Sequence, residues 1–435
     1  MLALSHQLII LNLFTAIVYA SIVVVINNTY PKLMKRFFLG SKLLAPGLFI
    51  TLFLSACSKK SDPTSTADTP VIQVTPVTPI TPVTPTPGPV YNYSGLSDSL
   101  QNTTYAVFLS ANGQYFVKNN SGTKDFNYWP NAHMLDVLTD GYLRTKNTAY
   151  LPRMKALLNG IKASNGNTYS NEFYDDMGWM ANASLRDYVI TNDADYLTVA
   201  QSIYAEIKTG SNTTAGGGMA WRKSQLYYKN IPTTGNMCIL ASRFYKLQNK
   251  PEDLAFAKNL YDWMKTNLVN GAGEVQDGIN RNNDGKVDNW IFTYNQGLFI
   301  GSAVELYNIT KNQAYLQDAI LTANNALIDA NLIKNGILKS EGQGDGGLFK
   351  GVIVRYLTLL VDAPDIDETN RSKFALFLQR NSRSLYLKAI ARPSLMISPD
   401  WTIQPSGSTD LSTQLSGMMM MEAAARLKTE GRIEQ

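Results

Sequence analysis

Four ten-residue stretches of this 435-residue chain share one pattern: "YLRTKNTAYL" from Tyr142, "YVITNDADYL" from Tyr188, "YKLQNKPEDL" from Tyr245 and "YNITKNQAYL" from Tyr307. Each closes an apolar run of helical spacing on a tyrosine, turns through Thr, Asn, Asp or Lys, and opens a new run at Tyr-Leu or Asp-Leu. Their starts lie 46, 57 and 62 residues apart (188 − 142, 245 − 188, 307 − 245). A period near fifty fits a helix, a short turn, a return helix and a loop. From about residue 95 to 430 almost no alternating strand pattern interrupts it. Long Gly/Asn-rich segments such as "TGSNTTAGGGMAW" and "VNGAGEVQDGINRNNDGKVDNW" separate the hairpins. Short turns at one end, long loops at the other and unequal repeat lengths predict an all-α toroid, an (α/α)6 barrel of six hairpins, and not an open solenoid.

Composition narrows the chemistry. The chain is 45% hydrophobic and 17% charged, enough to bury a large core. Its formal charge of +5 comes without a basic run in the folded part, so no nucleic-acid partner is expected. Only His6, His133, Cys57 and Cys238 are available as soft ligands or thiol nucleophiles, too few for a zinc centre or a disulfide framework. Catalysis is left to carboxylates, amides, hydroxyls and aromatics, with no cofactor and no metal expected.

The N-terminal segment reads as an address. Lys35 and Arg36 precede an apolar run from Leu43 to Leu54, and Leu54-Ser55-Ala56-Cys57 resembles a bacterial lipobox. That resemblance implies cleavage before Cys57 and lipid on its thiol. Residues 34–57 are therefore expected to be a lipoprotein signal peptide, 58–92 a Thr/Pro-rich tether too proline-dense for helix or central strand, and 93–431 the catalytic domain, with order beginning near Tyr91. Residues 1–33 hold a second apolar stretch long enough to span a bilayer; a start codon assigned too early, with Met34 the true initiator, accounts for it. The expected location is the bacterial cell envelope, lipid-anchored at the membrane or cell surface.

In "NEFYDDMGWMANASL" (171–185), Asp175 and Asp176 stand side by side before a Trp- and Met-rich run. The dipeptide alone fits a helix start, where acids meet the positive end of the dipole. It also fits a catalytic pair with separated pKa values. The surrounding blocks "YWPNAHMLDVLTDGYLRTKN" (128–147), "GGGMAWRKSQLYYKNIPTTGN" (216–236), "IFTYNQGLFIGSAVELYNIT" (291–310) and "GQGDGGLFKGVIVRYLTLL" (342–360) follow in an order that resembles glycoside hydrolase family 76 across nearly the whole folded part. The resemblance implies an (α/α)6 fold, endo-acting α-1,6-mannanase activity with retention, Asp175 as nucleophile and Asp176 as general acid/base. The substrate it implies is α-mannan or a mannooligosaccharide; a monomer is expected.

Other residues of those blocks are candidates for holding sugar. Trp129 and His133 lie one helical turn apart as platform and donor, although His133 fits a core histidine equally well. Tyr294, Asn295 and Gln296 open a helix where amides grip hydroxyls, or cap it. Trp221 follows three glycines, as a mobile stacking ring or a loop staple. Asp345 is placed to bind hydroxyls, or to pair with Lys350. Arg355 reads as a structural ion-pair partner. "NRNNDGKVD" spaces Asn280, Asn282, Asp284 and Asp288 like a calcium loop, but Ile291 stands where the bidentate Glu belongs, which favours a plain loop. The rival functions are a non-catalytic glycan-binding lipoprotein, which does not need the Asp pair, and a transglycosylase on the same fold. A sugar epimerase leans on paired histidines and is disfavoured.

Overall fold

The computed structural model describes residues 90–434. The signal peptide, Cys57 and all but the last residues of the tether lie outside this range. Among the described residues are twelve α-helices: α1 (Tyr93–Phe108), α2 (Tyr128–Thr145), α3 (Tyr150–Ser164), α4 (Tyr174–Thr191), α5 (Ala194–Ile207), α6 (Ile231–Gln248), α7 (Pro251–Leu268), α8 (Thr293–Thr310), α9 (Gln313–Ala326), α10 (Gly346–Val361), α11 (Glu368–Lys388) and α12 (Leu411–Thr429). The even-numbered helices form an inner ring in which each packs on the next and α12 returns to α2. The odd-numbered helices pack outside as their hairpin partners, and the ring is closed.

The recurring ten-residue pattern has a common geometry. Lys146, Asn192, Asn249 and Lys311 each take the left-handed conformation, with φ of 56°, 56°, 54° and 58°. Each donates its N–H to the carbonyl of the pattern's tyrosine, at 2.7–2.8 Å. This is an αL termination, which ends the inner helix and turns the chain sharply. The next side chain then caps the outer helix in two cases, with Asp193 accepting from Asp195 N at 3.0 Å and Asn312 from Ala314 N at 3.1 Å, while Asn147 accepts from Ala149 N at 2.9 Å in the turn just ahead of α3. Turn and cap together explain why the pattern recurs.

Two sequence expectations change here. The chain has five contiguous hairpins, not six. The sixth joins α1, the first helix, to α12, the last, so the two ends of the domain close the ring. The domain is also not purely helical. The long loops fold into a four-stranded antiparallel sheet, β1 (Ala220–Arg222), β2 (Gln225–Asn230), β3 (Gly278–Ile279) and β4 (Val287–Asp288), and a hairpin of β5 (Ile333–Lys334) and β6 (Ile337–Leu338). Strands of two to six residues are too short to show alternation against a helical background. Near the two ends of the described residues, Tyr91 stacks on Tyr93 at 5.6 Å and Ile433 is buried.

Inner helices approach closely because small residues face their neighbours. A Cβ on Gly235 of α6 meets Leu298 Cβ of α8 at 2.9 Å, and one on Gly297 of α8 meets the Ile353 backbone of α10 at 2.8 Å. Toward the short-turn end the ring axis is charged. Arg186 of α4 pairs with Asp136 and Asp140 of α2, Arg355 of α10 meets Asp140 at 2.7 Å and Asp136 at 2.9 Å, and Arg243 of α6 meets Glu305 of α8 at 2.8 Å. Burial works to raise the Asp136 pKa, but Arg186 and Arg355 outweigh it and hold the carboxyl at about 2. The Arg186 and Arg243 pairs tie neighbouring inner helices, and the Arg355 pairs tie α10 to α2, two places away in the ring.

Gly297→Ala tests the ring. Helix propensity alone favours alanine by about 1 kcal/mol, yet overpacking against the α10 backbone is expected to destabilise the protein by about 1–3 kcal/mol. Urea unfolding measures it, and a midpoint equal to or above wild type contradicts the close approach.

Candidate active site

Every inner helix starts at the long-loop end, so six helix N-termini open onto one face. There the loops surround a cleft of about 380 Å³. Asp175 and Asp176 stand in the first turn of α4, just after Phe173 at the cap position, which makes no side-chain capping bond. They are therefore not a capping pair. Both line the cleft, with Trp129 and Trp179 on one side and Trp221, Tyr228 and Asp277 on the other.

The two carboxyls have different surroundings. Asp175 Oδ1 accepts the Asp176 N–H at 3.1 Å, and Oδ2 accepts the Trp221 indole N–H at 3.1 Å. Asp176 receives no such bond among the described residues. Burial raises the proton affinity of both far above the ordinary carboxylate range. For Asp175 the backbone and indole donors pull back toward the charged form. For Asp176 the neighbouring Asp175 and then Asp345 push further up. Asp175 is the one that ionises first and Asp176 the one that keeps its proton.

Trp129 Nε1 donates to Asp345 Oδ1 at 3.0 Å, joining the start of α2 to the cap position of α10. Tyr294 stacks on Phe349 with centroids 3.9 Å apart and planes 4° from parallel, which places both rings in the cleft wall. Asp277 is a hub the sequence did not disclose. Its Oδ1 accepts from Tyr294 Oη at 2.9 Å and Asn295 Nδ2 at 3.2 Å, and its Oδ2 accepts from Tyr228 Oη at 2.8 Å and Arg281 Nη2 at 3.1 Å. Arg281 in turn meets Asp288 at 2.6 Å and lies over Trp290, 4.4 Å from the ring centroid. Trp290 lines the cleft and is half exposed. The clue available in sequence was an acid four residues before an arginine in a long loop, on the face that carries the Asp pair.

Of the predicted sugar-binding residues, Trp129, Trp221, Tyr294 and Asp345 line the cleft. Trp221 sits in β1, bonded to Asp175 and flanked by Phe173 at 5.2 Å and Tyr228 at 5.9 Å. The structure places four others elsewhere. His133 lies beneath the floor, buried, with its ring 4.6 Å from Trp179; desolvation lowers its pKa to about 3, so the imidazole is neutral. Gln296 bonds the backbone of Val275 through both amide atoms, at 3.0 and 2.7 Å, and so staples a loop to α8. Asn295 is fully buried behind Asp277. Lys350 turns away from Asp345, donates to the Pro399 carbonyl and covers the Trp401 ring at 4.5 Å. Gln296, Asn295 and Lys350 spend their polar groups on buried partners, whereas neither ring nitrogen of His133 has a partner among the described residues and its exclusion rests on its burial away from the cleft. In the calcium-like loop, Asn280 Oδ1 accepts Gly285 N at 2.7 Å and Asp288 is taken by Arg281, so two of the spaced oxygens are already bonded.

A carboxyl pair with divided proton affinity, set among indole and phenol rings, is the equipment of glycosidic-bond cleavage. The sequence agrees: residues 98–432 match the pattern of Glycosyl hydrolase family 76, and the chain belongs to that family. The structure resembles that of GH76A, an α-1,6-mannanase of Salegentibacter sp. HEL1_6, with a TM-score of 0.75 and 44% identity over 77% of this chain and 100% of that one. A variant of that enzyme, inactive with two adjacent aspartates replaced by asparagine, was solved in complex with α-1,6-mannotriose. A putative mannan endo-1,6-α-mannosidase of Schizosaccharomyces pombe is 24% identical over 270 residues. The matched part is 56% of this chain and spans 60% of the length of that curated relative. A mannan endo-1,6-α-mannosidase of Saccharomyces cerevisiae is 30% identical over 128 residues, 27% of this chain and 28% of its own length.

Removing the buried acid is expected to stabilise the fold. The folded Asp176 pKa lies above its unfolded value, so the folded state binds the extra proton and stability falls as pH rises between the two values. Asp176→Asn is therefore expected to melt higher than wild type at pH 8 and to lose that advantage near pH 4. Calorimetry at the two pH values measures it. A variant that melts lower at pH 8 by as much as at pH 4 contradicts the raised proton affinity.

Proposed function

We propose that the chain is a retaining endo-α-1,6-mannanase acting on the α-1,6-mannan backbone. The observation that carries this reading is the asymmetric pair at the start of α4, with Asp175 held by two donors toward its charged form and Asp176 left to keep its proton. The inactive doubly substituted relative bound to mannotriose supports giving catalysis to the adjacent aspartates.

In this reading a mannan chain lies along the aromatic cleft with one glycosidic bond over the pair. The Asp175 carboxylate attacks the anomeric carbon from the face opposite the leaving oxygen. The C1–O6 bond breaks as Asp176 gives its proton to that oxygen, leaving a β-linked mannosyl ester on Asp175. Asp176, now ionised, takes a proton from water, and the water oxygen attacks C1 and displaces Asp175. Two inversions give the α-product. Before attack, the Trp221 indole and the helix N-terminus favour the charged form of Asp175. Tyr294, Tyr228 and Arg281 fix Asp277 beside the site, where it raises the proton affinity of Asp175.

The reading extends to the cell. Cleavage before Cys57, lipid on its thiol and the Thr/Pro tether through residue 92 hold the toroid off a bacterial envelope membrane, where it meets polymeric substrate. This rests on the lipobox-like sequence Leu54-Ser55-Ala56-Cys57.

Asp175→Ala and Asp176→Ala are each expected to lower turnover of linear α-1,6-mannan by at least about 10²-fold. Azide separates the roles. With an activated aryl α-mannoside, whose leaving group needs no proton, Asp176→Ala is expected to yield α-mannosyl azide. Asp175→Ala is expected to yield none, because no covalent intermediate forms. Recovery of α-mannosyl azide from Asp175→Ala, by two inversions through an ester on Asp176, reverses the assignment, whereas β-mannosyl azide from it is a single inversion by azide standing where the nucleophile was. Turnover within about tenfold of wild type in either variant removes the pair from catalysis, since such partners supply at least 10².

A further inference from the structure

Four arginines of the inner helices are balanced. Arg144, Arg186, Arg243 and Arg355 each meet a carboxylate at hydrogen-bond distance. A second concavity departs from that rule. Between the β5–β6 hairpin, the outward side of α11 and the segment at Asp400–Thr402 lies a groove of about 600 Å³. Lys334, Lys339, Arg380, Arg383 and Lys388 line it, against one acid, Asp400.

That acid is already engaged. Asp400 Oδ1 accepts the Thr402 N–H at 2.9 Å and the Thr402 hydroxyl at 2.6 Å. Lys339 is satisfied by the Ala330 carbonyl, and Arg383 reaches Glu434 at 3.3 Å. Lys334, Arg380 and Lys388 have no side-chain hydrogen-bond or salt-bridge partner among the described residues. Arg380 and Lys388 lie eight residues apart on α11, a spacing that keeps them on one side of the helix. Unpaired cations gathered in a concavity raise the local potential and gather anions.

The groove opens on the face that carries the catalytic cleft. Both of its loop walls connect an outer helix to the start of an inner one, as all the cleft loops do. The chain leaving β6 passes from the groove to the cleft: Glu341 accepts Thr293 N at the start of α8 at 2.9 Å, and Asp345 follows in the cleft wall. A polysaccharide occupying the cleft extends over this face. Its size suits one sugar ring with a substituent, and an Arg fork flanked by lysines suits a tetrahedral oxyanion.

We infer that this groove is a second binding site, taking a sugar that carries a phosphate or sulfate ester. Guanidinium and ammonium groups hold the ester oxygens, and the ring lies between the hairpin and α11. On the mannanase reading, the site holds an anionic branch of a chain whose backbone is in the cleft. Binding itself does not depend on that reading.

Calorimetric titration of the full-length protein at fixed ionic strength tests it, with mannose 6-phosphate, inorganic phosphate and mannose as probes. Wild type is expected to bind mannose 6-phosphate more tightly than either other probe. The double variant Arg380→Gln/Lys388→Gln is expected to lose about tenfold or more of that affinity, as charged hydrogen bonds imply. Equal affinity in wild type and variant overturns the site, because the phosphate is then held elsewhere. Inorganic phosphate binding as tightly as the sugar phosphate also overturns it, leaving a counter-ion patch. Hydrolysis is not measured, so failure here leaves the mannanase reading intact, and an inactive enzyme leaves this titration intact.

Discussion

Six helices close into a ring only if each lets both neighbours come near, and that contact governs the rest of the molecule. Gly235 and Gly297 supply it by leaving room where a Cβ would strike the next helix. Close approach leaves little space on the axis, and charged side chains occupy it in pairs. Arg186 and Arg355 share Asp136 and Asp140, so one acidic helix is tied to two basic ones. A buried pair of this kind adds little net stability but makes loss of one partner costly. It favours one order of helices over alternatives that strand a charge.

Ring closure also sets polarity. Four of the six inner helices end at a short turn built on a left-handed residue and a tyrosine carbonyl, and all six run the same way, so each begins at the opposite end. Six N-termini then face a common space, and their unpaired N–H groups favour negative charge there. Asp175, Asp176, Asp277 and Asp345 gather in that space. Burial alone would leave both members of the pair protonated. Backbone N–H donors and the Trp221 indole together break the tie, the indole because β1 fixes its position against Phe173 and Tyr228. The small sheet in the loops thus has a chemical consequence: it aims one N–H at one carboxylate oxygen.

The fold was largely legible because its determinants are local. Tyrosine, turn residue and cap lie within a few positions of one another, and the pattern repeats. What stayed hidden depends on distant partners. His133 looked like a ligand from its spacing to Trp129, yet Trp179, 46 residues on, covers it. Gln296 has the composition of a sugar-binding amide, and Val275 takes both its atoms. Lys350 stands near Asp345 in sequence, but helical geometry turns it toward Pro399. Asp277 went unnoticed because its four partners come from three segments of chain, and a loop without regular periodicity gives no sign of where its side chains meet. The aspartate pair was visible as a dipeptide, while the asymmetry between its members required Trp221 in place.

That asymmetry is the central claim, and carboxyl titration tests it most directly. Protein labelled with ¹³C at the aspartate side-chain carboxyls, with Asp175→Asn and Asp176→Asn used to assign the two resonances, reports each ionisation by NMR. Asp175 is expected to ionise at the lower pH of the two and Asp176 to remain protonated above it. Ionisation of Asp176 first, or of both near pH 4 like exposed carboxylates, contradicts the division of roles.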